Sequence, residues 1–438
     1  MKRYFGTDGI RGVPDKDLSK ELIYKVCQAV EDLLKPKSIA VIGDTRSSRR
    51  LIFDWMSQGF SSSIELFDYG ILPSGSIPFI LNENNHDLGI IISASHNPSE
   101  YNGVKIIDKS GSKLSDNIEL SLEESIRSSP LEAKDGAVVQ VSNEGEDLYL
   151  NNLLTLSKNI KPDQFKVSID CANGAVTNVA RKLFEQLSIK YHAFNTGSDG
   201  TDINKDCGAT NPSFLVDNID SGNIGLTFDG DADRLILVDE DGLIANGDVI
   251  LALLAKYFHQ NNMLKGNTVV TTVMANIGLK KALDSMGITT VVTPVGDKYV
   301  AEAMNEQGSS LGGEQSGHII LSEFLPVGDG LLTAIFILSA LSFFDESLSV
   351  LRKELITEYP QKLVNYTLSN QLEEDVLNQL NDEMKIIENE NIPDGRIFVR
   401  ASGTEPLLRV LIEADSLKKI DTASILIEET ITKYLDIQ

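Results

Sequence analysis

Apolar positions along the chain follow two rhythms. Leu18, Leu22, Val26, Ala29, Val30 and Leu33 recur at spacings of three and four, which predicts a helix with one buried face. Val- and Ile-rich runs at 38–43, 166–170 and 267–273 each lead through a loop of small or polar residues into another helical pattern. A strand feeding a helix is the unit of a parallel sheet, so the three runs predict three separate α/β units. Within the first unit, a strand at 89–92 and a helix opening at Asp116, with Glu119 completing a capping box, are expected. The end of the chain differs: a helix at 371–384, strands at 396–400 and 407–414 and a closing helix at 416–436 predict a small α+β domain. Turn residues and charge place the expected domain limits at 1–147, 148–241, 242–357 and 358–438.

Composition narrows the function classes. No apolar stretch approaches the roughly 20 residues of a membrane helix, and Lys2 and Arg3 are not followed by the apolar run of a secretory signal. A cytoplasmic protein that does not engage membrane is expected. Cys27, Cys171 and Cys207 form no CxxC pair, so buried thiols are expected rather than a disulfide framework or a zinc site. A formal net charge of −25 argues against nucleic acid as a partner. Any phosphate must then be met by local clusters of Arg, Lys and backbone amides.

Five stretches carry such chemistry. Asp229-Gly-Asp-Ala-Asp-Arg234 sets three carboxylates at alternate positions, hard oxygen ligands suited to Mg²⁺. An EF-hand is excluded because its sixth position is Arg234 rather than Gly and its flanks, 224–228 and 235–239, read as strands. Ile91-Ile-Ser-Ala-Ser-His-Asn-Pro98, continuing to Lys105, delivers Ser95 on a small-residue loop at a strand end, where it is expected to face a ligand. Adjacency to His96 does not make a Ser–His couple, and no GxSxG elbow is present. Arg400-Ala-Ser-Gly-Thr-Glu-Pro406 with Arg409 offers two guanidinium groups, the hydroxyls of Ser402 and Thr404 and amides around Gly403, a cradle for a phosphate dianion. Gly312-Gly-Glu-Gln-Ser-Gly-His318 provides Glu314 and Ser316 for sugar hydroxyls and His318 as a proton shuttle or phosphate ligand. In Phe5-Gly-Thr-Asp-Gly-Ile-Arg-Gly12, Arg11 is a candidate phosphate contact.

Taken in chain order, four of these stretches resemble the α-D-phosphohexomutase superfamily, whose members carry a serine loop, a DGDxDR metal loop, a GExSGH sugar loop and a C-terminal phosphate loop. The resemblance runs from Phe5 to Arg409. It implies three related mixed-sheet α/β domains plus a smaller C-terminal α+β domain around a central cleft. Asp170-Cys-Ala-Asn-Gly174, the run from Asn204 to Thr210, Val295-Gly-Asp-Lys-Tyr299 and Gln315 are most similar to the branch that interconverts glucosamine 6-phosphate and glucosamine 1-phosphate, isomerase-class enzymes working through a phosphoserine. Mannose- or glucose-phosphate mutases remain the alternative, followed by a non-catalytic sugar-phosphate binder or a phosphatase with an aspartate nucleophile.

The resemblance implies Mg²⁺ as cofactor, glucosamine 1,6-bisphosphate as intermediate and activator, and a small sugar phosphate as substrate; it leaves a homodimer open. It makes Ser95 the phosphoserine and a metal ligand beside Asp229, Asp231 and Asp233. Lys105 and His318 become the acid/base or phosphate-stabilising pair, and Arg11 and Arg234 line the transfer site. Glu314 and Ser316 meet the sugar, and Arg400, Ser402, Gly403, Thr404 and Arg409 hold the phosphate that stays. Three departures stand out: Pro73-Ser-Gly75 for Pro-Thr-Pro, Arg49 for a common glycine, and Lys298 for Arg.

Overall fold

A computed structural model of the chain describes residues 4–6, 8–369, 372, 374–401 and 407–435. The three branched runs are strands Ser38–Gly43, Lys166–Asp170 and Thr268–Thr272, each in its own sheet. Two compact units result, 1–274 with 287–355, and 275–286 with 356–438.

In the first sheet of the larger unit, Ser38–Gly43 pairs in parallel with Glu65–Ile71 and Leu88–Ile92. Its near-continuous apolar run suits a strand covered on both faces. Asn102–Ile107 then returns antiparallel to Leu88–Ile92, and Gly9–Gly12 pairs antiparallel with it. This return sets Lys105 opposite Ile91 and Arg11 opposite Gly103, close to the loop that follows Ile92. In the second sheet, Ile224–Phe228 is parallel to Lys166–Asp170 and antiparallel to Leu235–Val238, so the aspartate loop closes a hairpin in which Phe228 opposes Leu235. In the third, Leu311–Gly313 is parallel to Thr268–Thr272 and antiparallel to Ile319–Leu321, with Gly313 opposite Ile319. All three are mixed sheets, as the resemblance implies.

The smaller unit has an antiparallel sheet in the order Gln361–Thr367, Leu407–Glu413, Arg396–Ala401, with helices Glu374–Asn391 and Leu417–Tyr434 packed in one core. The helix Ile277–Ser285 belongs to it: Asn276 Nδ2 donates to the Tyr359 carbonyl at 2.9 Å and the Ile277 N–H to Glu413 Oε1 at 3.2 Å. Strand Gln361–Thr367 escaped the sequence reading because Pro360 and the charged 358–362 stretch suggested a break.

Other expectations need correcting. Ser115, not Asp116, is the N-cap of Asp116–Ser128 and makes no side-chain cap; Glu119 accepts from Lys298 Nζ at 2.8 Å. Leu33, assigned to a buried face, is 47% exposed. The three cysteines are buried. Among the described residues no single helix is long and apolar enough to cross a membrane; the apolar helix Gly330–Phe344 is buried from Gly330 to Ser342.

Arg49 is buried in an ion pair with Asp68. Arg49→Met would leave Asp68 without its counter-ion and should cost about 3 kcal/mol. Urea unfolding read by Trp55, the sole tryptophan, which lies on helix Arg49–Gly59 and in the core of the first sheet, measures this. Adding Asp68→Leu should recover most of the loss.

Candidate active site

The loop after Leu88–Ile92 turns through Ser95 with a φ of 50°, a left-handed conformation that costs a non-glycine residue energy unless its surroundings impose it. They do. The Ser95 N–H donates to Ser93 Oγ at 2.8 Å, and Ser93 Oγ donates to Asp44 Oδ2 at 2.6 Å. Ser95 is 1% exposed rather than open to solvent, and its hydroxyl donates to Asp229 Oδ2 at 2.6 Å. Gly230 permits this approach, since a Cβ there would stand 2.7 Å from the Ser95 carbonyl oxygen.

Asp229, Asp231 and Asp233 are buried, and one oxygen from each lies within 4.8 Å of the others. Lys105 Nζ donates to Asp231 Oδ2 at 2.8 Å and Asp233 Oδ2 at 3.2 Å, and lies 3.2 Å from Asp8 Oδ1. Burial, then Asp233 and Asp231, push the Asp229 carboxyl up to about 8. Burial also acts to raise Asp233, but Lys105 and His318 outweigh it and hold that carboxyl well below the usual range. Asp231 Oδ1 and Asp233 Oδ1 are buried with no hydrogen-bond partner among the described residues. Three converging carboxylates with unused oxygens fit a hard divalent cation.

Cations ring the cluster. Arg11 bonds Asp8 and donates to Asn97 Oδ1 at 3.3 Å, and Arg234 Nε lies 3.9 Å from Asp233 and 4.0 Å from Asp229. A backbone bridge joins Arg234 to His318, which carries the sugar loop to the metal loop. His318 stands between Asp233, 3.6 Å from Nδ1, and Asp297, 3.4 Å from Nε2. Its burial favours the neutral ring, yet Asp233 and Asp297 prevail and raise its pKa. His96 goes the other way: burial, then Arg234 and Arg11, lower it to about 4, leaving a poor base 3.3 Å from Ser95 Oγ. Half-buried Glu314 accepts from the Gly296 N–H at 3.0 Å and from Ser316 Oγ at 3.4 Å.

Ser95, Arg11, Lys105, the three aspartates, Arg234 and His318 are thus brought together. Arg400 and Arg409 belong to the smaller unit, where they are exposed, directly opposed on adjacent strands and without an ion pair among the described residues. Ser402, Gly403 and Thr404 lie outside the described residues.

Models of the four phosphoglucomutase/phosphomannomutase domains match the chain in order: α/β/α domains I at 2–132, II at 147–242 and III at 246–359, and the C-terminal domain at 363–423. The chain belongs to the phosphoglucomutase/phosphomannomutase family. Among relatives, the phosphoglucosamine mutase of Clostridium acetobutylicum is 40% identical over 99% of both chains, and that of Thermotoga maritima 39% identical over 99% of both. Two solved structures share the family fold. A phosphoglucomutase/phosphomannomutase family protein of Burkholderia thailandensis matches with a TM-score of 0.83 at 22% identity, covering 100% of both chains. The Aspergillus fumigatus N-acetylphosphoglucosamine mutase in complex with GlcNAc-6P and magnesium matches with a TM-score of 0.69 at 18% identity, covering 100% of this chain and 96% of that one.

Three site residues escaped the sequence reading although they sit in motifs it quotes or beside them. Asp8 lies in the opening motif and Asp297 in Val295-Gly-Asp-Lys-Tyr299; Lys113 follows the return strand and joins them, donating to Asp8 Oδ1 at 2.7 Å and Asp297 Oδ2 at 2.6 Å.

A cation must displace the proton from Asp229, so its affinity should climb with pH up to about 8 and flatten above, with about one proton released per ion at pH 7. Mg²⁺ titration of chelator-treated protein by calorimetry in buffers of different ionisation enthalpy reads this. Heats independent of buffer would contradict it.

Proposed function

We propose that the protein interconverts glucosamine 6-phosphate and glucosamine 1-phosphate, with Ser95 as the reusable phosphoryl carrier. The observation that carries this reading is Ser95 Oγ held 2.6 Å from Asp229 within a buried three-carboxylate loop, with Lys105 spanning the other two. The glucosamine preference rests on the full-length relatives named phosphoglucosamine mutase.

In the proposed cycle phospho-Ser95 transfers its phosphoryl group to the sugar O1, whose proton leaves to a base while Ser95 Oγ takes up a proton, giving glucosamine 1,6-bisphosphate. The bisphosphate turns over, its 6-phosphoryl group passes to Ser95 Oγ as that hydroxyl gives up its proton to a base, and the freed O6 takes up a proton. Mg²⁺ bound by Asp229, Asp231 and Asp233, with an oxygen on Ser95, would supply charge neutralisation for the transferring group. Lys105 and Arg11 stabilise charge on that group, and Arg234 with them. His318, oriented between two carboxylates, and Lys105 exchange protons with the sugar oxygens. Glu314 and Ser316, already joined, meet the sugar. Arg400, Ser402, Gly403, Thr404 and Arg409 are assigned to the phosphate that stays by the family pattern alone.

Ser95→Ala should reduce mutase turnover to a trace, and intact mass should show wild-type protein, but not the variant, gaining one phosphate from the bisphosphate. A variant with substantial turnover would remove Ser95 from the cycle. Glucosamine 6-phosphate should be preferred over the glucose and mannose phosphates by at least about tenfold in kcat/KM. Release of inorganic phosphate instead of isomerisation would indicate a phosphatase.

A further inference from the structure

We propose that Arg46, in the loop after strand Ser38–Gly43 and outside the five stretches singled out in the sequence, is the positioning residue that fixes the serine loop, an inference resting on the proposed role of Ser95. Its side chain is completely buried. A guanidinium group has five N–H donors, and each is used: Nε donates to Asp44 Oδ2 at 2.9 Å, one terminal nitrogen to the carbonyls of Ser95 at 2.9 Å and Asn97 at 2.7 Å, and the other to those of Tyr101 at 2.8 Å and Pro98. One planar cation therefore gathers four carbonyls of a single turn.

Asp44, the counter-ion, also accepts from Ser93 Oγ, which in turn accepts the Ser95 N–H. The pair thus grips Ser95 through both its amide and its carbonyl, which is the over-determination that a left-handed non-glycine residue needs. The Arg46 segment is itself clamped, because Thr45 Oγ1 donates to the Asn173 carbonyl at 2.6 Å and a Cβ on Gly200 would stand 2.1 Å from the Thr45 carbonyl oxygen. Asn204 Nδ2 adds bonds to the Ser95 and Asn97 carbonyls at 2.8 and 3.2 Å. Arg46 is held away from the reacting atoms by the loop itself, so it acts through Ser95. Lysine cannot replace it, since three donors on one atom cannot span four carbonyls and a carboxylate.

The test compares wild type with Arg46→Lys and Arg46→Ala, checking fold by circular dichroism. Expected is a fall in kcat of about 100-fold with KM changed by less than about threefold. Amide hydrogen exchange should accelerate at 94–101 and nowhere else in the first sheet, and added guanidinium, but not methylammonium, should restore part of the kcat of Arg46→Ala. A folded variant with near-wild-type kcat, or unchanged exchange at 94–101, overturns the proposal. Loss of fold in both variants overturns it too, since Arg46 would then serve global stability. If wild type itself turned over no sugar phosphate, the proposed function would fail, while the exchange measurement would still decide the role of Arg46.

Discussion

Three buried carboxylates within 4.8 Å of one another are the constraint on which the site depends. Two like charges about 4 Å apart repel by roughly 4 kcal/mol even at an effective dielectric of 20, so the aspartates cannot coexist there as bare anions. The fold answers from several sides. Lys105 comes from the return strand of the first sheet, Arg11 from its neighbour, His318 from the third sheet and Arg234 from the hairpin itself. Asp229 answers by holding its proton, which is what a cation displaces. The same loop then positions the serine, because Asp229 accepts its hydroxyl and Gly230 lets the two backbones touch.

The positive charges need anchoring in turn, and here a second tier of acids appears. Asp8 bonds Arg11 and lies against Lys105; Lys113 ties Asp8 to Asp297; Asp297 flanks His318. Burial acts to raise the Asp297 carboxyl, but Lys113 and His318 hold it down at about 2, so it keeps its charge opposite the imidazole. Charge of alternating sign thus runs from the first sheet to the third.

What was legible in the sequence follows from range. Ser38–Gly43 is legible to the residue because its near-continuous branched apolar run marks burial on both faces, and Lys166–Asp170 because Val167 and Ile169 alternate with polar residues over a strand's length. The aspartate loop is legible because its three carboxylates lie at alternate positions within one short stretch, Asp229 to Asp233. Arg46 is not: an arginine in a polar loop reads as solvated, and only the fold shows that four carbonyls over fifty residues away in sequence, or nearly so, converge on it. The burial of Ser95 is not legible for the same reason, since what covers it comes from another sheet.

The three departures from the family pattern show how such a network absorbs substitution. Ser74 keeps the hydroxyl of the threonine it replaces and donates it to Asp231 Oδ2 at 2.8 Å, while its N–H reaches the Asp231 carbonyl at 2.9 Å. Gly75 leaves room for Asp329, whose carboxylate would stand 2.1 Å from a Cβ there. Arg49 is matched within its own domain by Asp68. Lys298, where the family carries an arginine, turns its ammonium to Asp116 at 2.6 Å and Glu119 at 2.8 Å. A bidentate fork is not required for two separate carboxylates, which a compact ammonium can satisfy with separate protons. Each change therefore either keeps the donor that the metal loop needs or is neutralised locally, so the charge balance around the aspartates stays intact.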